Sequence, residues 1–237
     1  MLLLLGKARK IDYTNVPETL EDLPFYGIKL NEEQKIFRDA IWNKYKNIIF
    51  CDARAGSGKT TIAVMMADLL VKYGLYEGIV YITSPVQEKK IGFLPGDCAA
   101  KGEPYNLPFY QAAEEAGINI NSSLNDDINN LKNGTGYVDL ITHIFTRGVN
   151  FKNKVVIIDE AQNMYFDELK KVLTRMHDSC KVIVIGHSGQ IDLYHNPENS
   201  GFVKYLEWFK NDKRCAVCEL TKNYRGWISN HADDLIK

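Results

Sequence analysis

The chain has 237 residues, of which 45% are hydrophobic and 25% are charged, and its formal net charge is −1. This composition is typical of a globular protein and excludes a largely disordered chain, while the charge excludes a general attraction to nucleic acid but not a local basic patch. The apolar run at residues 2–5 is too short to span a membrane, and the five scattered cysteines favour a reducing compartment, so we expect a cytoplasmic protein.

The chain opens with an arm and a first predicted helix. Residues 1–30 have a mixed composition and are expected to form an N-terminal arm. Residues 31–46, NEEQKIFRDAIWNKYK, have helical periodicity, and Asn31 stands where a helix cap is expected. The apolar face of this predicted helix consists of Ile36, Ala40 and Ile41.

Five apolar runs of strand length follow the helix. They are uninterrupted rather than alternating, which predicts strands in a mostly parallel central sheet with helices on both faces. The runs are NIIFCDA (47–53), GIVYITS (78–84), KVVIID (154–159), KVIVIG (181–186) and CAVCELT (215–221). The less regular region at 92–145 is expected to insert one or two helices between strands. Since no linker composition divides the chain, residues 31–237 are predicted to form a single α/β domain.

A glycine-rich loop, DARAGSGKTT at 52–61, follows the first of these strands and leads into a helix predicted at 59–72. It fits the phosphate-loop pattern of Gly, four residues and Gly-Lys-Ser/Thr, with Ala53 in place of the leading glycine. Small residues let the backbone direct N–H groups at phosphate oxygens, and the helix N-terminus adds a positive dipole end. Lys59 is predicted to contact the β and γ phosphates, and Thr60 to hold Mg²⁺. The predicted nucleotide-binding residues of the loop are Ala55, Gly56, Ser57, Gly58, Lys59, Thr60 and Thr61.

The run KVVIID leads into two acidic residues, Asp159 and Glu160. An aspartate at the carboxyl end of a buried strand can hold Mg²⁺ opposite a phosphate loop, which is the role expected of Asp159. Glu160 can orient and deprotonate the water that attacks the γ phosphate. The alternative is that both acids cap the next helix, but this does not account for their place after a buried strand in a chain with a phosphate loop. The pair therefore predicts hydrolysis of a nucleoside triphosphate.

The run KVIVIG continues into the polar turn HSGQIDL at 187–193. A glutamine at this strand end can bond to the γ phosphate and so report whether the phosphate is present, and Gln190 is the predicted sensor. The turn also raises the alternative of a metal cluster. Its members would be His187, Asp192 and His195, but their spacing fits no ligand template, so a γ-phosphate sensor is the preferred interpretation.

Taken together, the motifs resemble those of the PhoH-like ATPases, which are related to the first motor domain of superfamily 1 helicases. The matching stretches and the phosphate loop extend over residues 30–230. The stretches are IGFLPGD (91–97), RG (147–148), IIDEAQN (157–163), LTR (173–175), GQIDL (189–193) and SG (200–201). The resemblance implies a RecA-like P-loop NTPase that binds ATP with Mg²⁺ and hydrolyses it to ADP and phosphate.

The resemblance also implies roles for two residues outside these stretches. Gln34 is expected to read the adenine edge, and Arg225, in LTKNYRG, to act as an arginine finger. Three positions depart from the family pattern, and the departures bear on metal binding and on coupling to nucleic acid. The family usually has glycine at the position of Ala53, often arginine at that of Ser84, and usually aspartate at that of His187.

The predicted function is therefore ATP hydrolysis coupled to the binding or unwinding of single-stranded RNA or DNA, as in a helicase. Lys89 and Lys90 are candidate contacts to the nucleic-acid backbone. Because the chain has length for one motor domain, the site is expected to be completed by a neighbouring copy in a homo-oligomer, for which the resemblance suggests a hexameric ring. Two alternatives remain: an ATP-dependent switch or assembly factor acting on a protein partner, and a phosphotransferase acting on a small acceptor.

Overall fold

The computed structural model describes residues 16–20, 25–84, 103–146, 148–191 and 199–233. Within these ranges six strands form one parallel sheet, which confirms the predicted α/β fold. The strands are β1 (Ile48–Ala53), β2 (Gly78–Thr83), β3 (Val138–Thr142), β4 (Lys154–Asp159), β5 (Lys181–Gly186) and β6 (Cys215–Leu220). The helices are α1 (Glu32–Trp42), α2 (Lys59–Lys72), α3 (Leu107–Glu115), α4 (Ile120–Ser123), α5 (Ile128–Asn133), α6 (Phe166–Leu173), α7 (Gly201–Phe209) and α8 (Trp227–Asp233). None of these helices has both the length and the apolar character that crossing a bilayer requires.

The strand order β3-β2-β4-β5-β1-β6 places β5 between β1 and β4. β1 precedes the glycine-rich loop, and β4 ends in Asp159. Because the six strands are parallel, their carboxyl ends lie along one edge of the sheet, which we call the carboxyl edge. This edge brings the loop, the acidic pair and the turn after β5 together, as is typical of ligand sites in open parallel sheets. The opposite edge is called the amino edge.

Successive side chains of the central strands point to opposite faces of the sheet, and helices cover both faces. Ile49 and Ile183 lie in the core beside α1, α2 and α3, whereas Phe50 lies in the core beside α6 and α7. The Phe50 ring is 6.1 Å from that of Phe202 and 6.0 Å from that of Phe209, measured between centroids. Burying a phenylalanine side chain contributes about 1.5–3 kcal/mol, so both faces select apolar residues and the strands read as uninterrupted runs.

α1 has the predicted cap, and two residues of its predicted apolar face contact the core, since Ile41 is buried and Ala40 packs against the core. Asn31 accepts a hydrogen bond from the backbone N–H of Gln34 at 2.8 Å, and the Gln34 side chain accepts one from the Asn31 N–H at 3.0 Å. Ile36, expected in the core, is 62% exposed. The buried residues follow the spacing of a helical face and are Gln34, Phe37, Arg38, Ile41 and Trp42. Ile36 lies about 100° around the helix from Phe37, which is why it faces outward.

The described part of the region predicted as a helical insertion, 92–145, contains α3, α4 and α5 but also β3, so the expectation of helices alone was wrong. β3 pairs only with β2 among the described strands and forms an edge of the sheet. Its middle residues are half-buried, and Asp139 accepts a hydrogen bond from the Asn125 side chain at 3.0 Å. A short edge strand that carries a charged residue lacks the uninterrupted apolar run by which the central strands were identified.

The described residues of the N-terminal arm pack onto the domain. Three of its apolar side chains are buried in the core beside α1 and α2: Leu20, Phe25 and Leu30. Tyr26 donates a hydrogen bond to Asp68, a fully buried carboxylate in α2, at 2.5 Å. The same carboxylate accepts from the Tyr137 hydroxyl at 3.0 Å and pairs with Lys72 at 2.6 Å. Asp68 therefore joins the arm, α2 and the segment before β3.

The amino edge of the sheet contains a buried lysine. Lys181, the first residue of β5, is 1% exposed. Its ammonium group donates to the backbone carbonyl of Asn43 at 2.7 Å and to that of Lys46. These carbonyls belong to the turn between α1 and β1, so Lys181 fixes the turn that leads into the strand of the glycine-rich loop.

Candidate active site

The glycine-rich loop closes tightly between β1 and α2. Gly56 and Gly58 have φ values of +70° and +84°, a left-handed conformation that favours glycine. A Cβ atom on Gly56 would lie 2.5 Å from Asn223 Oδ1 and 2.7 Å from Arg225 Cγ, whereas one on Gly58 would lie 3.3 Å from Gln34 Nε2. Glycine at position 56 is therefore required both by the backbone conformation and by the close packing of the segment after β6.

The loop has the features that a bound phosphate chain needs. The predicted helix at 59–72 is confirmed as α2, and its N-cap residue, Gly58, provides no side-chain acceptor for the N–H groups of the first turn. The Ser57 hydroxyl is buried without a hydrogen-bond partner among the described residues. Unpaired N–H groups and a positive dipole end at a helix N-terminus favour an anion. The loop therefore fits a nucleotide phosphate.

The residues predicted to hold Mg²⁺ lie together. The Thr60 hydroxyl donates a hydrogen bond to Asp159 Oδ2 at 2.9 Å, across 99 residues of sequence. Tyr81, which was not predicted to lie in the site, donates to the same oxygen at 2.6 Å, and Asp159 is 1% exposed. A hydroxyl and a carboxylate are hard oxygen ligands of the kind that Mg²⁺ takes, so the two predicted residues fit the ion.

The pKa of the Asp159 carboxyl is raised, first by burial and then by the negative charge of Glu160. The positive charge of Lys59 and the hydrogen bonds from Tyr81 and Thr60 act in the opposite direction. Burial disfavours a charged group, and a nearby cation favours the ionised carboxylate. The surroundings of Asp159 are therefore those of a carboxylate that would gain from a bound cation.

Glu160 turns out of the buried strand and into the site. Its φ of +51° is unusual for a residue other than glycine, and such backbone strain costs about 1–3 kcal/mol. Its carboxylate lies 3.4 Å from the Lys59 ammonium through Oε1 and accepts a 2.6 Å hydrogen bond from Gln162 through Oε2. The strained turn thus places the predicted base directly beside the predicted phosphate-binding lysine.

Gln34 lies against the loop, as its predicted role requires. Its side-chain N–H donates to the Ser57 carbonyl at 2.9 Å, while its side-chain oxygen completes the capping box with Asn31. The amide is thereby fixed between the start of α1 and the phosphate loop. An adenine contact by Gln34 stays a prediction.

Arg225 lies beside the phosphate loop of its own chain. Its aliphatic part packs over Gly56, and its backbone N–H donates to Asn223 Oδ1 at 2.8 Å. The neighbouring Tyr224, which sequence reasoning did not select, donates its N–H to the Gly56 carbonyl at 2.9 Å. The Asn31 side chain donates to the Tyr224 hydroxyl at 2.8 Å. The sequence shows that NYRG follows an apolar run, which indicates a strand end. Only the pairing of β6 with β1 shows that this strand end lies beside the phosphate loop.

The turn after β5 is held from both sides. The N–H of His187 donates to Gln162 Oε1 at 3.1 Å, and Ser188 donates to the Asp52 carboxylate through its N–H at 2.9 Å and through its hydroxyl. Gln190 follows in the same turn, where its backbone N–H donates to the His187 carbonyl at 3.1 Å and its side chain is exposed. The turn therefore lies between the phosphate loop and the acidic pair, although Asp52 and Gln162 were not predicted as its supports.

Several predicted residues lie outside the described part of the chain. These are the stretch at 91–97 and the residues Lys89, Lys90, Arg147, Asp192 and His195. Among the described residues, no group of three or more histidine, cysteine, aspartate or glutamate side chains has the arrangement of a metal cluster.

Comparison with known proteins gives consistent matches over most of the chain. A family model described as PhoH-like protein matches residues 28–227. The chain is 34% identical over 197 residues to Protein PhoH of Escherichia coli strain K12, covering 81% of this chain and 52% of that protein. It is 34% identical over 179 residues to a PhoH-like protein of Bacillus subtilis strain 168, covering 75% of this chain and 53% of that protein. The chain thus spans about half the length of these relatives.

A solved structure supports the fold independently of these sequence matches. The large terminase from a thermophilic bacteriophage superimposes with a TM-score of 0.52 at 13% identity, covering 82% of this chain and 46% of that chain. At this identity the similarity concerns the fold alone. It agrees with the six-stranded parallel sheet.

Proposed function

The chain belongs to the PhoH-like protein family and has the fold of a P-loop NTPase, and we propose that it hydrolyses ATP to ADP and phosphate. The observation that carries the proposal is the 2.9 Å hydrogen bond between Thr60 and Asp159, with the 3.4 Å contact between Lys59 and Glu160 beside it. These contacts join the loop and the acidic strand end into one site. Phosphoryl transfer requires such a combination of positioning and charge stabilisation.

In this proposal each residue has one task. Lys59 binds the β and γ phosphates, and Thr60 and Asp159 are the protein ligands for Mg²⁺, which when bound neutralises charge on the phosphates. Lys59 exchanges its contact with Glu160 for the phosphates, which leaves Glu160 Oε1 available to orient water and accept its proton. Arg225, which packs on the loop of its own chain, adds positive charge near the transferred phosphoryl group.

The proposal extends to two further residue roles and to the assembled state. Gln34 contacts the adenine edge from its fixed place beside Ser57, and Gln190 senses the γ phosphate from the turn after β5, the strand that lies between β1 and β4. A homo-oligomer, such as a hexameric ring, remains our proposal for the assembled state. Since Arg225 already lies against Gly56 of the same chain, a neighbouring copy is not needed to provide that arginine.

We propose that hydrolysis is coupled to single-stranded RNA or DNA, on the basis of the resemblance to motor domains. A second candidate, an ATP-dependent switch acting on a protein partner, is favoured by the exposed side chains of Trp227 and Ile228. These side chains follow soon after Arg225 in sequence and would place an apolar contact beside the nucleotide. Exposed aromatic groups of this kind are frequent at protein interfaces.

The deciding experiment measures steady-state phosphate release from ATP with and without single-stranded RNA and DNA. Glu160→Gln provides the blank, since it keeps the size of the side chain and removes the base. Binding of a fluorescent ATP analogue to both proteins shows that the blank retains its site. Release that depends on Glu160 supports the ATPase, and stimulation by one polymer supports the nucleic-acid motor. Release that ignores both polymers favours the protein-directed switch, and binding without any release contradicts hydrolysis.

A further inference from the structure

Gln162 is a buried glutamine whose side chain connects two parts of the site. It is 2% exposed and lies two residues after Glu160, in a short 3-10 turn. Its side-chain N–H donates to Glu160 Oε2 at 2.6 Å, and its side-chain oxygen accepts the His187 N–H at 3.1 Å. One amide therefore links the acidic pair to the turn that contains Gln190.

The surroundings of Gln162 are fitted to this amide. A Cβ atom on Gly186 would lie 2.9 Å from Gln162 Oε1 and 3.2 Å from its backbone nitrogen, so the end of β5 makes room for the side chain by having none of its own. The Ser200 hydroxyl donates to the Gln162 carbonyl at 2.8 Å and also accepts from the Phe202 N–H at the start of α7. The backbone and side chain of Gln162 are thus fixed by separate partners.

Glu160 depends on Gln162 once nucleotide is bound. The contacts described for its carboxylate are with Lys59 and with Gln162. In the proposed reaction the phosphates take Lys59, so the bond to Gln162 is the described contact that continues to hold the carboxylate. A partly exposed carboxylate on a strained backbone would otherwise rotate freely, and loss of orientation lowers the rate of a reaction that relies on positioning.

We infer that Gln162 is the positioning residue for Glu160 and couples it to the turn at 187–190. This inference rests on the proposed ATP hydrolysis. A neutral donor suits the task, because it fixes one carboxylate oxygen while leaving the other free and the group negatively charged. A lysine would compete for that charge, and a glutamate would repel it. Gln162 acts through Glu160 and does not itself touch the reacting atoms.

The test replaces Gln162 by methionine, which has similar length but no hydrogen-bonding amide. Loss of a hydrogen bond to a charged group predicts a fall in kcat of about 10- to 100-fold. The KM for ATP and the dissociation constant of a fluorescent ATP analogue are expected to stay within about threefold, since the phosphate loop is unchanged. The matched control is Ser200→Ala, which removes the bond to the Gln162 backbone and leaves the side-chain amide intact. It is expected to lower thermal stability without a comparable loss of kcat.

A second variant separates positioning from packing. Gln162→Glu retains an oxygen that can accept the His187 N–H but places a carboxylate against Glu160, so at pH 8 we expect a loss of kcat at least as large as that of Gln162→Met. In a Glu160→Gln background, Gln162→Met is expected to leave the binding of the fluorescent ATP analogue unchanged, because Gln162 positions Glu160 and does not hold the phosphates.

The inference is overturned if both Gln162 variants keep kcat within about twofold of the wild type, or if Ser200→Ala lowers kcat as much as they do. A loss of analogue binding caused by Gln162→Met in the Glu160→Gln background likewise assigns Gln162 a purely structural role. These outcomes leave the proposed ATPase standing, because the wild type remains active. A wild type that binds ATP but releases no phosphate contradicts the proposed function together with the inference.

Discussion

Two buried charged side chains lie at opposite edges of the same sheet, and their partners differ. Asp159 at the carboxyl edge and Lys181 at the amino edge are each 1% exposed. Lys181 donates to two backbone carbonyls of a single turn, those of Asn43 and Lys46. Asp159 instead receives hydrogen bonds from side chains of the phosphate-loop helix and of β2, namely Thr60 and Tyr81. The lysine therefore stabilises one local turn, whereas the aspartate joins elements that are far apart in the sequence.

Burial disfavours the charge at both edges. It lowers the pKa of Lys181 to about 8 and raises the pKa of Asp159, which the charge of Glu160 raises further. A bound cation would stabilise the ionised form of Asp159, which burial disfavours. Lys181 needs no ligand, because its ammonium group already donates to two backbone carbonyls. A buried charge is therefore structural when its partners are complete within the fold, and functional when its charge is best satisfied by a ligand.

The largest effect that tests this comparison is expected from Asp159→Asn. Loss of the carboxylate charge should lower Mg²⁺-dependent ATP hydrolysis by about 10²–10³-fold, since the proposed Mg²⁺ ligand would be weakened. The thermal midpoint without nucleotide and metal should stay equal or rise, because an amide oxygen can still accept from Thr60 and Tyr81, and removal of the buried charge offsets the lost hydrogen bond from the Glu160 N–H. Phosphate-release assays and thermal unfolding measure the two quantities. A fall in stability with activity retained would reverse the assignment of the carboxyl edge.

Lys181→Met is expected to have a smaller effect, and to lower stability rather than activity. The two hydrogen bonds from this charged donor stabilise the folded state by about 1.5–3 kcal/mol each. Burial of the charge destabilises it by about 3 kcal/mol, and the substitution removes both contributions. The net loss in free energy of unfolding at pH 7 should therefore be about 1–2 kcal/mol. Denaturant unfolding measures the change, and kcat is expected to remain that of the wild type. Lys154→Met, at the start of the adjacent strand β4, is the control for removing a lysine from the amino edge.

The same lysine predicts a pH dependence of stability. Below pH 8 both the folded and unfolded states carry its proton, and the cost of burying the charge is fully present. Above pH 8 the folded state releases the proton while the unfolded state keeps it until about its ordinary pKa of 10.5, so the contribution of Lys181 to stability rises with pH. Buried thiols such as Cys51 have raised pKa values and act in the opposite direction. The stability difference between wild type and Lys181→Met should therefore grow from pH 7.5 to 9.5, and a constant difference would contradict the depressed pKa.

The smallest effect concerns His187, which stands where the family usually has aspartate. Its Nδ1 is buried without a partner among the described residues. His187→Asp is expected to strengthen Mg²⁺-dependent ATP binding or turnover by less than about tenfold, the lower end of effects seen for groups that support metal ligands. A Mg²⁺ titration of phosphate release measures it, with His187→Asn as the uncharged control. An equal response of both variants would mean that the acid is dispensable at the carboxyl edge.

The central part of the fold followed from sequence because its signals are local. Each local signal is contained within about a dozen residues, as in the phosphate loop, α2 and the five apolar runs. The structure has strands where those runs lie, namely β1, β2, β4, β5 and β6. β3 was missed because an edge strand with Asp139 in its middle has no need of a continuous apolar run. Ile36 was misplaced because three apolar residues on one helix did not reveal which stripe the domain would cover.

In the site, too, the residues that stand in local motifs were predicted and those placed by long-range contacts were not. Lys59, Thr60, Asp159 and Glu160 were identified because each stands in a motif whose chemistry explains its residue type, and the structure brings them together. The supports of these residues were not found from sequence. Gln162 stands in the matching stretch IIDEAQN but received no role there, and Tyr81 was one more apolar position of a strand, until the fold placed a carboxylate within hydrogen-bonding distance of each. Such long-range pairings leave no local pattern.

The position of β5 between β1 and β4 also sets the order in which the protein can assemble. β1 pairs with β5 and β6, and β4 pairs with β2 and β5, so the two halves of the nucleotide site share no strand pairing until β5 is present. During synthesis from the N-terminus, residues up to 160 would emerge with the phosphate loop and the acidic pair still on separate pieces of sheet. Contacts this distant in sequence form late, and nucleotide should therefore protect the chain from proteolysis only after residue 186 has left the ribosome.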